Sequence, residues 1–517
     1  MIDATPLLRL YAHRRRHRLA GLVSAAAQQR QLLRLLRDAR DTRFGRDHGF
    51  ACIGGIAEFQ RRVPLRRYED FWRDYWQPAF PRLHNVSWPG VIPYFAATSG
   101  TTTGNTKYIP VSAAMVAANR RAVLDVFTFH LTARPGSRVL GGRNFMLGGS
   151  TDLVRQAPGI HSGDLSGIAA NEVPWWVRSR YFPPRELALI ADWDRKVEVL
   201  AQASLRQDIR TISGTPGWVL PFFAHLADLR PNLPRSTASW YPNLELFIHG
   251  GVNYAPYRAL FDALLPPGVD RREVYPASEG FIAIADRSYG EGLRLIADNG
   301  LFFEFVPVDE IDAPQPTRHW LDTIEIGVNY AVVLSSNAGL FAYVLGDTVR
   351  FIERIPPRLL VTGRLSYTLS AFGEHLIGEE IDNAMTQAAA AIGAAITEYT
   401  VTAIFPDGKG GRGGHRFFVE LARPAADAEM TAFARTLDAA LAAANADYAA
   451  HRAAMRPPEV FAVPPGGFAQ WMRHRGRLGG QNKVPRVITE PALAADLAQY
   501  LTSCRTPETG HRIASEH

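Results

Sequence analysis

Hydrophobic and polar positions alternate with a helical period over the first forty residues. Leucines recur at spacings of three and four between positions 7 and 36, and arginines occupy the opposite face. This pattern predicts a pair of packed amphipathic helices within residues 5–40. The basic segment 14–18 leaves a membrane-surface helix open as the alternative. Glutamine and arginine interrupt the stretch that follows, so we do not expect a signal peptide.

From about residue 90, short apolar runs rich in β-branched and aromatic residues alternate with helical stretches. Such alternation predicts an α/β layered domain. The predicted strands are residues 91–97, 244–251, 281–286, 301–308, 330–336 and a last run ending at Arg364. The predicted helices are residues 112–131, 195–208 and 255–265.

The pattern changes after Gly363 and Arg364. Alanine-rich helical segments at 376–396 and 425–455 are separated by two strand-like runs, which predicts a β-α-β-β-α-β order. The predicted fold class is therefore α/β, with a large multi-sheet domain over 1–362 and a smaller α+β domain over 363–517. A short hinge is expected near 362–366. The glycine-rich loop 407–414 is interpreted as a hairpin turn, and an RGG-like nucleic-acid element is the alternative.

Charge would by itself indicate a nucleic-acid-binding protein, because 57 cationic side chains outnumber 50 anionic ones. Only four of the cations are lysines, however: Lys107, Lys196, Lys409 and Lys483. The excess is a broad bias toward arginine, so we predict no nucleic-acid partner. A lysine retained in such a chain suggests that a compact ammonium group is needed at that position.

Cysteine content points to a reducing compartment. Cys52 and Cys504 are far apart and no C-x-x-C pair occurs, which excludes a disulfide framework and a cysteine-rich zinc site. No apolar run of 18 or more residues is present, so a membrane-spanning helix is not expected. We therefore predict a cytoplasmic protein without membrane insertion.

The most informative segment follows one predicted strand and precedes a helix. It consists of Thr98, Ser99, Gly100, Thr101, Thr102, Thr103, Gly104, Asn105, Thr106 and Lys107. Small and hydroxyl residues leave backbone N–H groups and hydroxyls free to wrap a polyphosphate, and the lysine adds a point charge. It is not a Walker A loop, because glycine and lysine are not adjacent in it. A plain surface turn is the alternative.

Two further segments carry isolated acids. In Tyr275–Gly280, Glu279 lies beside a serine and a glycine, which suits a Mg²⁺ ligand facing phosphate oxygens. In Tyr343–Asp347, the carboxylate of Asp347 follows a glycine and could accept hydrogen bonds from vicinal ribose hydroxyls. Taken alone, the first would be an exposed loop and the second an ordinary turn.

In order and spacing, the three segments resemble the motifs of adenylate-forming ligases, and among them the Gretchen Hagen acyl acid amido synthetases. That family conjugates auxin, jasmonate or benzoates to amino acids. Its Ser/Thr-Ser-Gly-Thr-(x)₂-Gly-(x)₂-Lys motif is met at 98–107 and its Tyr-(x)₂-Ser-Glu-Gly motif at 275–280. Its Tyr-Arg-x-Gly-Asp motif is met at 343–347, except that Val344 stands where arginine is usual.

The resemblance implies roles for individual residues, with ATP and Mg²⁺ as cofactors. The implied catalytic residues are Lys483, Lys107 and Glu279, the last also holding Mg²⁺. The implied nucleotide-binding residues are Thr98, Ser99, Gly100, Thr101, Thr102, Gly250, Gly251, Tyr275, Ser278, Asp347 and Arg364. For the glycine pair an ordinary turn remains open, and for Arg364, placed at the hinge, a surface linker.

The implied reaction has two steps. A carboxylic acid attacks ATP to form an acyl-adenylate and pyrophosphate, and an amino acid or other amine then forms the amide and releases AMP. Acyl-pocket candidates lie on helix 112–131, and for each apolar one the helix core is the alternative. They are Ala117, Val123, Leu124, Val126 and Phe127, with Arg120 and Arg121 as polar contacts. Other possible functions are a coenzyme A or carrier-thiol ligase and a non-catalytic nucleotide-binding regulator.

Overall fold

The structure is a computed structural model. It describes residues 2–99, 106–148, 152–173, 177–190, 192–365, 376–404, 413–445, 448–449, 452, 455–477, 483–488 and 490–503. These residues form two compact units. The first comprises residues up to 254 and 258–365, and the second comprises the described residues from 376 to 477 and from 483 onward, together with Ala255–Tyr257.

The first unit contains both long helices and many short ones. Its helices are α1 (Thr5–Ala20), α2 (Ser24–Ala39), α3 (Arg43–Asp47), α4 (Ile56–Arg62), α5 (Tyr68–Phe71), α6 (Ala113–Ala133), α7 (Leu165–Asn171), α8 (Arg185–Ala188), α9 (Trp193–Ser204), α10 (Pro216–Leu229), α11 (Thr237–Trp240) and α12 (Arg258–Leu264). A π-helical turn follows α5 (Trp72–Trp76), and 3₁₀ turns lie at Phe50–Cys52, Arg178–Arg180 and Val308–Glu310.

The strands of the first unit make two sheets. They are β1 (Tyr94–Ser99), β2 (Thr106–Val111), β3 (Arg143–Leu147), β4 (Val154–Ala157), β5 (Ile160–Gly163), β6 (Tyr181–Phe182), β7 (Ile209–Gly214), β8 (Leu246–Gly250), β9 (Asp270–Ala277), β10 (Gly280–Ile284), β11 (Leu293–Leu295), β12 (Leu301–Pro307), β13 (Asn329–Ser336), β14 (Tyr343–Arg354) and β15 (Pro357–Arg364).

The predicted helix pair at the N-terminus is observed as α1 and α2. Leu8 on α1 is buried in one cluster with Phe127 of α6, which makes α1 a packed helix. On α2 the fully buried Gln28 donates to the carbonyls of Ala297 and Leu301. Apolar contacts and a satisfied buried amide therefore fix both helices on the first unit.

The large sheet is parallel in one half and antiparallel in the other. Its order in the described residues is β12-β13-β14-β15-β11-β10-β9-β8-β7-β3-β6. Strands β9, β8, β7, β3 and β6 are mutually parallel, and the pairs from β9 to β12 are antiparallel. The carboxyl ends of the parallel strands thus meet at one edge, where ligands bind in open α/β sheets.

The smaller sheet of the first unit has the order β2-β1-β5-β4. Strands β1 and β5 are parallel, and β1 and β2 are antiparallel on either side of residues 100–105. Helix α6 begins where the Ser112 hydroxyl accepts a hydrogen bond from the Met115 N–H, as an N-cap serine does. The predicted strand before this segment and the predicted helix after it are thereby confirmed, and β2 lies between the segment and the helix.

The second unit is a four-stranded sheet with helices on both faces, in the order β18-β17-β16-β19. Its elements are α13 (Gly378–Ala391), β16 (Ile396–Ile404), β17 (Gly414–Leu421), α14 (Asp427–Ala444), β18 (Glu459–Val463), α15 (Gly467–His474), β19 (Val487–Ile488) and α16 (Pro491–Ser503). Phe417 packs with α13 and α14, and its neighbour Phe418 packs with α15 and α16, as strand alternation requires.

The mixed α/β class, with a larger N-terminal and a smaller C-terminal part, is confirmed. Two details of the prediction were wrong. The region after Val463 adds α15, β19 and α16 to the predicted order. The predicted helix 255–265 is divided: Ala255–Tyr257 is a 3₁₀ turn in the second unit, and α12 begins only at Arg258. In the part of the chain that the structure describes, every helix is too short or too polar to span a bilayer.

Candidate active site

Asp347 is the centre of a hydrogen-bonded group on the first unit. It lies on β14 opposite Arg364 of β15 and is 7 % exposed. The Tyr275 hydroxyl donates to its Oδ2 over 2.7 Å, and Arg364 Nε donates to its Oδ1 over 2.8 Å. These bonds use one acceptor position on each oxygen, so others remain for hydroxyl donors from a ligand.

Glu279 forms a second pairing between the same two motifs. It lies between β9 and β10, is 8 % exposed, and its carboxyl is hydrogen-bonded to the Tyr343 hydroxyl. Burial and the nearby charge of Asp347 raise the pKa of Glu279 to about 7. Residues 72 and 64 positions apart therefore meet as two cross-linked pairs, Tyr275 with Asp347 and Glu279 with Tyr343.

Lys107, at the end of the glycine- and threonine-rich segment, lies in a partly buried position on β2. Its Nζ is 2.9 Å from Glu69 Oε1 and 5.0 Å from the centre of the Tyr68 ring. Glu69 and Tyr68 also act electrostatically on Tyr343, which brings the third motif beside the other two. The sequence pattern gives no signal for Glu69 and Tyr68, because they belong to no recognisable motif and lie almost 40 positions before Lys107.

The remaining residues of the glycine- and threonine-rich segment are only partly placed. Thr98 and Ser99 end β1, and Gly100, Thr101 and Thr102 lie outside the described residues. Ser278 lies in the turn between β9 and β10, next to Glu279. The segment thus leaves the carboxyl end of β1 and returns as β2 at Thr106.

The turn after β8 brings backbone close to its neighbouring strand. Gly250 pairs with Val274 in register, and a Cβ atom on Gly250 would lie 2.1 Å from the Val274 carbonyl oxygen. Gly251 follows with φ +82°, a conformation that side-chain-bearing residues rarely adopt. His249 is 2 % exposed and stacks on Tyr254 with ring centres 3.9 Å apart. Both glycines therefore meet local steric requirements of a tight turn.

We expect Gly250→Ala to destabilise the turn and weaken nucleotide binding, because the methyl group collides with backbone. Overpacking of this kind costs about 1–3 kcal/mol. Gly268→Ala is the matched control, since a Cβ there meets no atom within 4 Å. Thermal unfolding and ATP binding by calorimetry measure both effects, and equal behaviour of the two variants would contradict the steric argument.

The acyl-pocket candidates on α6 divide by exposure. Val126 and Phe127 are buried in the core of the first unit, so for these two the core alternative is correct. Ala117 and Val123 are exposed and Leu124 is partly buried. Arg121 is also exposed, whereas Arg120 Nη2 donates to Glu172 Oε2 over 2.9 Å.

Lys483 belongs to the second unit and is exposed, three positions before the partly buried Arg486. The Arg486 guanidinium pairs with Glu398, and its Nη2 donates to the Tyr257 hydroxyl over 3.1 Å. The ring of Tyr399 lies 4.4 Å below the same guanidinium. These contacts anchor the chain immediately after Lys483 in the core of the second unit.

The donor set fits a magnesium ion held by one carboxylate and by phosphate oxygens. Among the described residues, no group of three or more His, Cys, Asp or Glu side chains is arranged to hold a metal ion. Mg²⁺ is usually bound through one or two carboxylates plus substrate phosphates, so a single acid is adequate. Glu279 is the acid that fits, since a cation would offset the burial of its negative charge.

The raised pKa of Glu279 predicts a pH dependence. Binding of Mg²⁺ and ATP should strengthen as the pH rises through about 7, because the carboxyl must lose its proton to hold a cation. Glu279→Gln should remove this dependence. Glu273→Gln is the control, because burial raises the pKa of Glu273 to about 7 as well. Calorimetric titration from pH 5.5 to 8.5 measures the affinity for ATP in the presence of Mg²⁺ at each pH. If Glu279→Gln kept the pH dependence of the unaltered protein, the assignment of Glu279 as the Mg²⁺ ligand would be wrong.

The same shift has the opposite effect on stability. The folded protein holds the Glu279 proton more tightly than an unfolded chain does, because the pKa of this carboxyl in an unfolded chain is near 4.5. The protonated carboxyl therefore contributes its full stabilisation below about pH 4.5, and the contribution is lost as the pH rises to about 7.

Relatives of known activity match part of this chain. Indole-3-acetic acid-amido synthetase GH3.8 of Oryza sativa subsp. indica is 29% identical over 287 residues, which are 51% of this chain and 46% of the relative. Jasmonoyl-L-amino acid synthetase GH3.5 of Oryza sativa subsp. japonica is 27% identical over 205 residues, which are 36% of this chain and 35% of the relative. The chain thus spans about half the length of these relatives, or less.

Solved structures match almost the whole chain in fold. GH3.15 acyl acid amido synthetase has a TM-score of 0.78 at 17% identity and covers 97% of both chains. 2-Hydroxyisobutyryl-CoA ligase in the postadenylation state has a TM-score of 0.61 at 16% identity and covers 93% of this chain and 92% of its own. The chain therefore shares its fold with both of these enzymes.

Family profiles match three separate regions. Residues 23–138 match the GH3 family N-terminal domain, 294–364 the GH3 family central domain and 379–492 the GH3 family C-terminal domain. Together the three regions cover more than half of the sequence and include Lys107, Asp347, Arg364 and Lys483. The chain belongs to the GH3 family.

Proposed function

We propose that this protein is an ATP-dependent acyl acid amido synthetase. It activates a carboxylic acid as an acyl-adenylate, transfers the acyl group to an amino acid or other amine, and releases AMP and pyrophosphate. The observation that carries the proposal is the meeting of the three motifs. Tyr275 bonds to Asp347, Glu279 bonds to Tyr343, and Lys107 contacts Glu69 and Tyr68, which act electrostatically on Tyr343.

The nucleotide is proposed to bind at the carboxyl edge of the parallel strands. The carboxylate of Asp347, which Tyr275 and Arg364 hold in place, accepts hydrogen bonds from the ribose hydroxyls. The turn at Gly250 and Gly251 faces the adenine, because bare backbone permits a flat base to approach closely. The segment 98–102 wraps the phosphates with backbone N–H and hydroxyl groups.

In the first step, a carboxylate oxygen of the acid attacks the α-phosphorus of ATP and pyrophosphate leaves. The protein's part is positioning and charge neutralisation. Lys107 neutralises phosphate charge and gives up its contact with Glu69 to do so. Lys483 bridges the carboxylate and the α-phosphate. Mg²⁺, held by Glu279, supplies further charge neutralisation when it is bound.

In the second step, the amine attacks the acyl carbon and AMP leaves. The C-terminal part is proposed to act as a mobile lid, so that Lys483 serves only the first step. The partners are thus small molecules, a carboxylic acid and an amine. We place the reaction in the cytoplasm because the chain has only two cysteines and they are far apart in sequence. Cys52 is an exposed free thiol, and Cys504 lies outside the described residues.

Product analysis tests the proposal. The protein is incubated with Mg²⁺, ATP and a panel of aryl, indolyl and fatty acids, with either pooled amino acids or coenzyme A as the acceptor. We expect acyl–amino acid conjugates and AMP by mass spectrometry. A thioester without any amide would favour the coenzyme A ligase alternative, and binding of ATP without any product would favour a nucleotide-binding regulator.

A further inference from the structure

Lys196 is a lysine of this arginine-rich chain for which the proposed function has no role. It lies on α9, is 3 % exposed, and its Nζ donates to the Ala188 carbonyl over 2.9 Å. Burial lowers its pKa, and the carboxylate of Asp164 opposes that shift. A buried ammonium group is costly unless a negative charge lies nearby, so the position of Asp164 is informative.

Asp164 directly follows strand β5, which is parallel to β1. Gly163, the last residue of β5, pairs with Ala96, so Asp164 stands level with the residues that lead into the segment 98–107. Asp164 precedes helix α7, but its side chain does not cap that helix. In the described part of the chain, no hydrogen bond or ion pair engages its carboxylate, and the charge that acts on it is that of Lys196.

A second observation places the start of α7, next to Asp164, at the ligand edge of the large sheet. The Ser166 hydroxyl is buried without a hydrogen-bond partner among the described residues. A Cβ atom on Gly148 would lie 3.3 Å from that hydroxyl. Gly148 follows β3, whose last residue pairs with Gly214 of β7, and Gly214 pairs in turn with His249 of β8. The start of α7 therefore adjoins the edge that ends in the glycine turn at 250–251.

We propose that Asp164 is the acceptor-amine residue of this enzyme: it binds the ammonium group of the incoming amine and accepts the proton that the nitrogen loses, while Lys196 is its positioning residue. The inference rests on the proposed function and deepens it. It identifies the acceptor as a primary amine that is protonated in solution, such as an amino acid. A thiol acceptor carries no ammonium group for Asp164 to bind.

Amide formation proceeds by attack of the amine nitrogen on the acyl carbon. The ammonium group first gives one proton to solvent, and the lone pair of the resulting amine forms the bond from nitrogen to the acyl carbon. The bond from that carbon to the phosphate oxygen breaks, and AMP leaves with the electron pair. The nitrogen then carries one proton too many for a neutral amide, and this proton passes to Asp164. No oxidant or reductant is required.

The electrostatic environment of Asp164 suits this role. Burial raises the pKa of Asp164 to about 6, and Lys196 limits the rise. The group is thus ionised at neutral pH yet is a better base than an ordinary aspartate. The other titratable groups on the strands that pack against α7 are engaged elsewhere: Tyr94 donates to Glu172 over 2.6 Å, and the His161 ring lies against the Tyr94 ring.

The test compares three reactions of Asp164→Asn in the full-length protein. We expect acid-dependent ATP–pyrophosphate exchange to be unchanged, since this half-reaction involves no amine. Amide formation with an amino acid should fall at least about 100-fold, the usual scale for loss of a general base. Trapping of the acyl-adenylate by hydroxylamine should persist, because hydroxylamine is largely uncharged at neutral pH and needs little help from a base.

Two further variants separate chemistry from folding. Asp164→Glu should restore part of the amide formation, and Glu198→Gln, an exposed carboxylate change on α9, should have no effect. In Lys196→Met the pH midpoint of amide formation should move above that of the unaltered protein, because the charge that lowers the pKa of Asp164 is gone. An unchanged midpoint would contradict the positioning role of Lys196.

The outcomes distinguish this inference from the proposed function. Normal amide formation in Asp164→Asn would overturn the inference, and so would equal losses in exchange and amide formation, which would indicate a role in adenylation or folding. If the unaltered protein catalyses exchange but makes no amide with any amine, the amide-forming function itself fails. If the unaltered protein catalyses both ATP–pyrophosphate exchange and amide formation, and Asp164→Asn loses only amide formation, the inference and the proposed function are both supported.

Discussion

Replacing Lys483 by alanine should lower acid-dependent ATP–pyrophosphate exchange by about 100- to 1,000-fold, the scale expected when one charged group is removed from a developing transition state. Amide formation from a supplied acyl-adenylate should change far less, because the lysine acts on the carboxylate and the α-phosphate only in the first step. The measurement is a comparison of the two half-reactions on the same protein preparation.

A charge-matched control is available in the second unit. Arg435 lies exposed on α14, so Arg435→Ala removes one positive charge without touching the segment that carries Lys483. This variant should behave as the unaltered protein in both half-reactions. Equal losses in both half-reactions for Lys483→Ala would contradict a step-specific role and would count against the mobile-lid scheme.

Asp347→Ala should weaken ATP binding by about 10- to 150-fold. That range corresponds to the loss of hydrogen bonds to a charged group, worth about 1.5–3 kcal/mol. The change also leaves the Tyr275 hydroxyl without its acceptor and Arg364 without its carboxylate, so some loss of stability accompanies it. Equilibrium binding of ATP, with thermal unfolding measured in parallel, separates the two effects.

The second unit contains an aspartate with the same kinds of contact. Asp438 accepts from the Tyr448 hydroxyl over 2.8 Å and from Arg452 Nε over 2.6 Å, as Asp347 accepts from a tyrosine and an arginine. Asp438→Ala should therefore lower stability and leave ATP affinity unchanged. If both variants lost ATP affinity equally, the ribose assignment of Asp347 would be wrong.

Much of the fold could be predicted because its strands are buried on both faces. Strands such as β12 and β13 are almost wholly buried, so they read as continuous apolar runs, whereas the leucine spacing at the N-terminus reads as helices. The passage into α6 was predictable from its flanking strand and helix pattern. Each of these signals is local, since it depends on residues within one or two turns or strands.

Contacts between distant residues are what the sequence pattern could not predict. Tyr257 was assigned to a helix of the large domain, yet it is buried in the second unit against Arg486, more than 200 positions away. The pairing of Lys107 with Glu69 is equally invisible, because an isolated Tyr-Glu dipeptide matches no motif. Asp164 was missed for the same reason, since its environment depends on strand register and on Lys196.

The candidate site shows the same division. The motif residues Tyr275, Glu279 and Asp347 could be chosen from spacing and resemblance, because their chemistry is carried by their own side chains. Their mutual bonds, and the raised pKa of Glu279, depend on burial and on partners from other strands. The candidate residues could thus be chosen from the sequence, whereas the contacts between them could not.

Formation of an acyl-adenylate is the first step of the proposed reaction, and ATP–pyrophosphate exchange measures that step. Labelled pyrophosphate is supplied with Mg²⁺, ATP and each acid of an aryl, indolyl and fatty panel in turn. We expect label in ATP only when a suitable acid is present, with much weaker exchange in Lys483→Ala. Binding of ATP without acid-dependent exchange for any acid of the panel would contradict it.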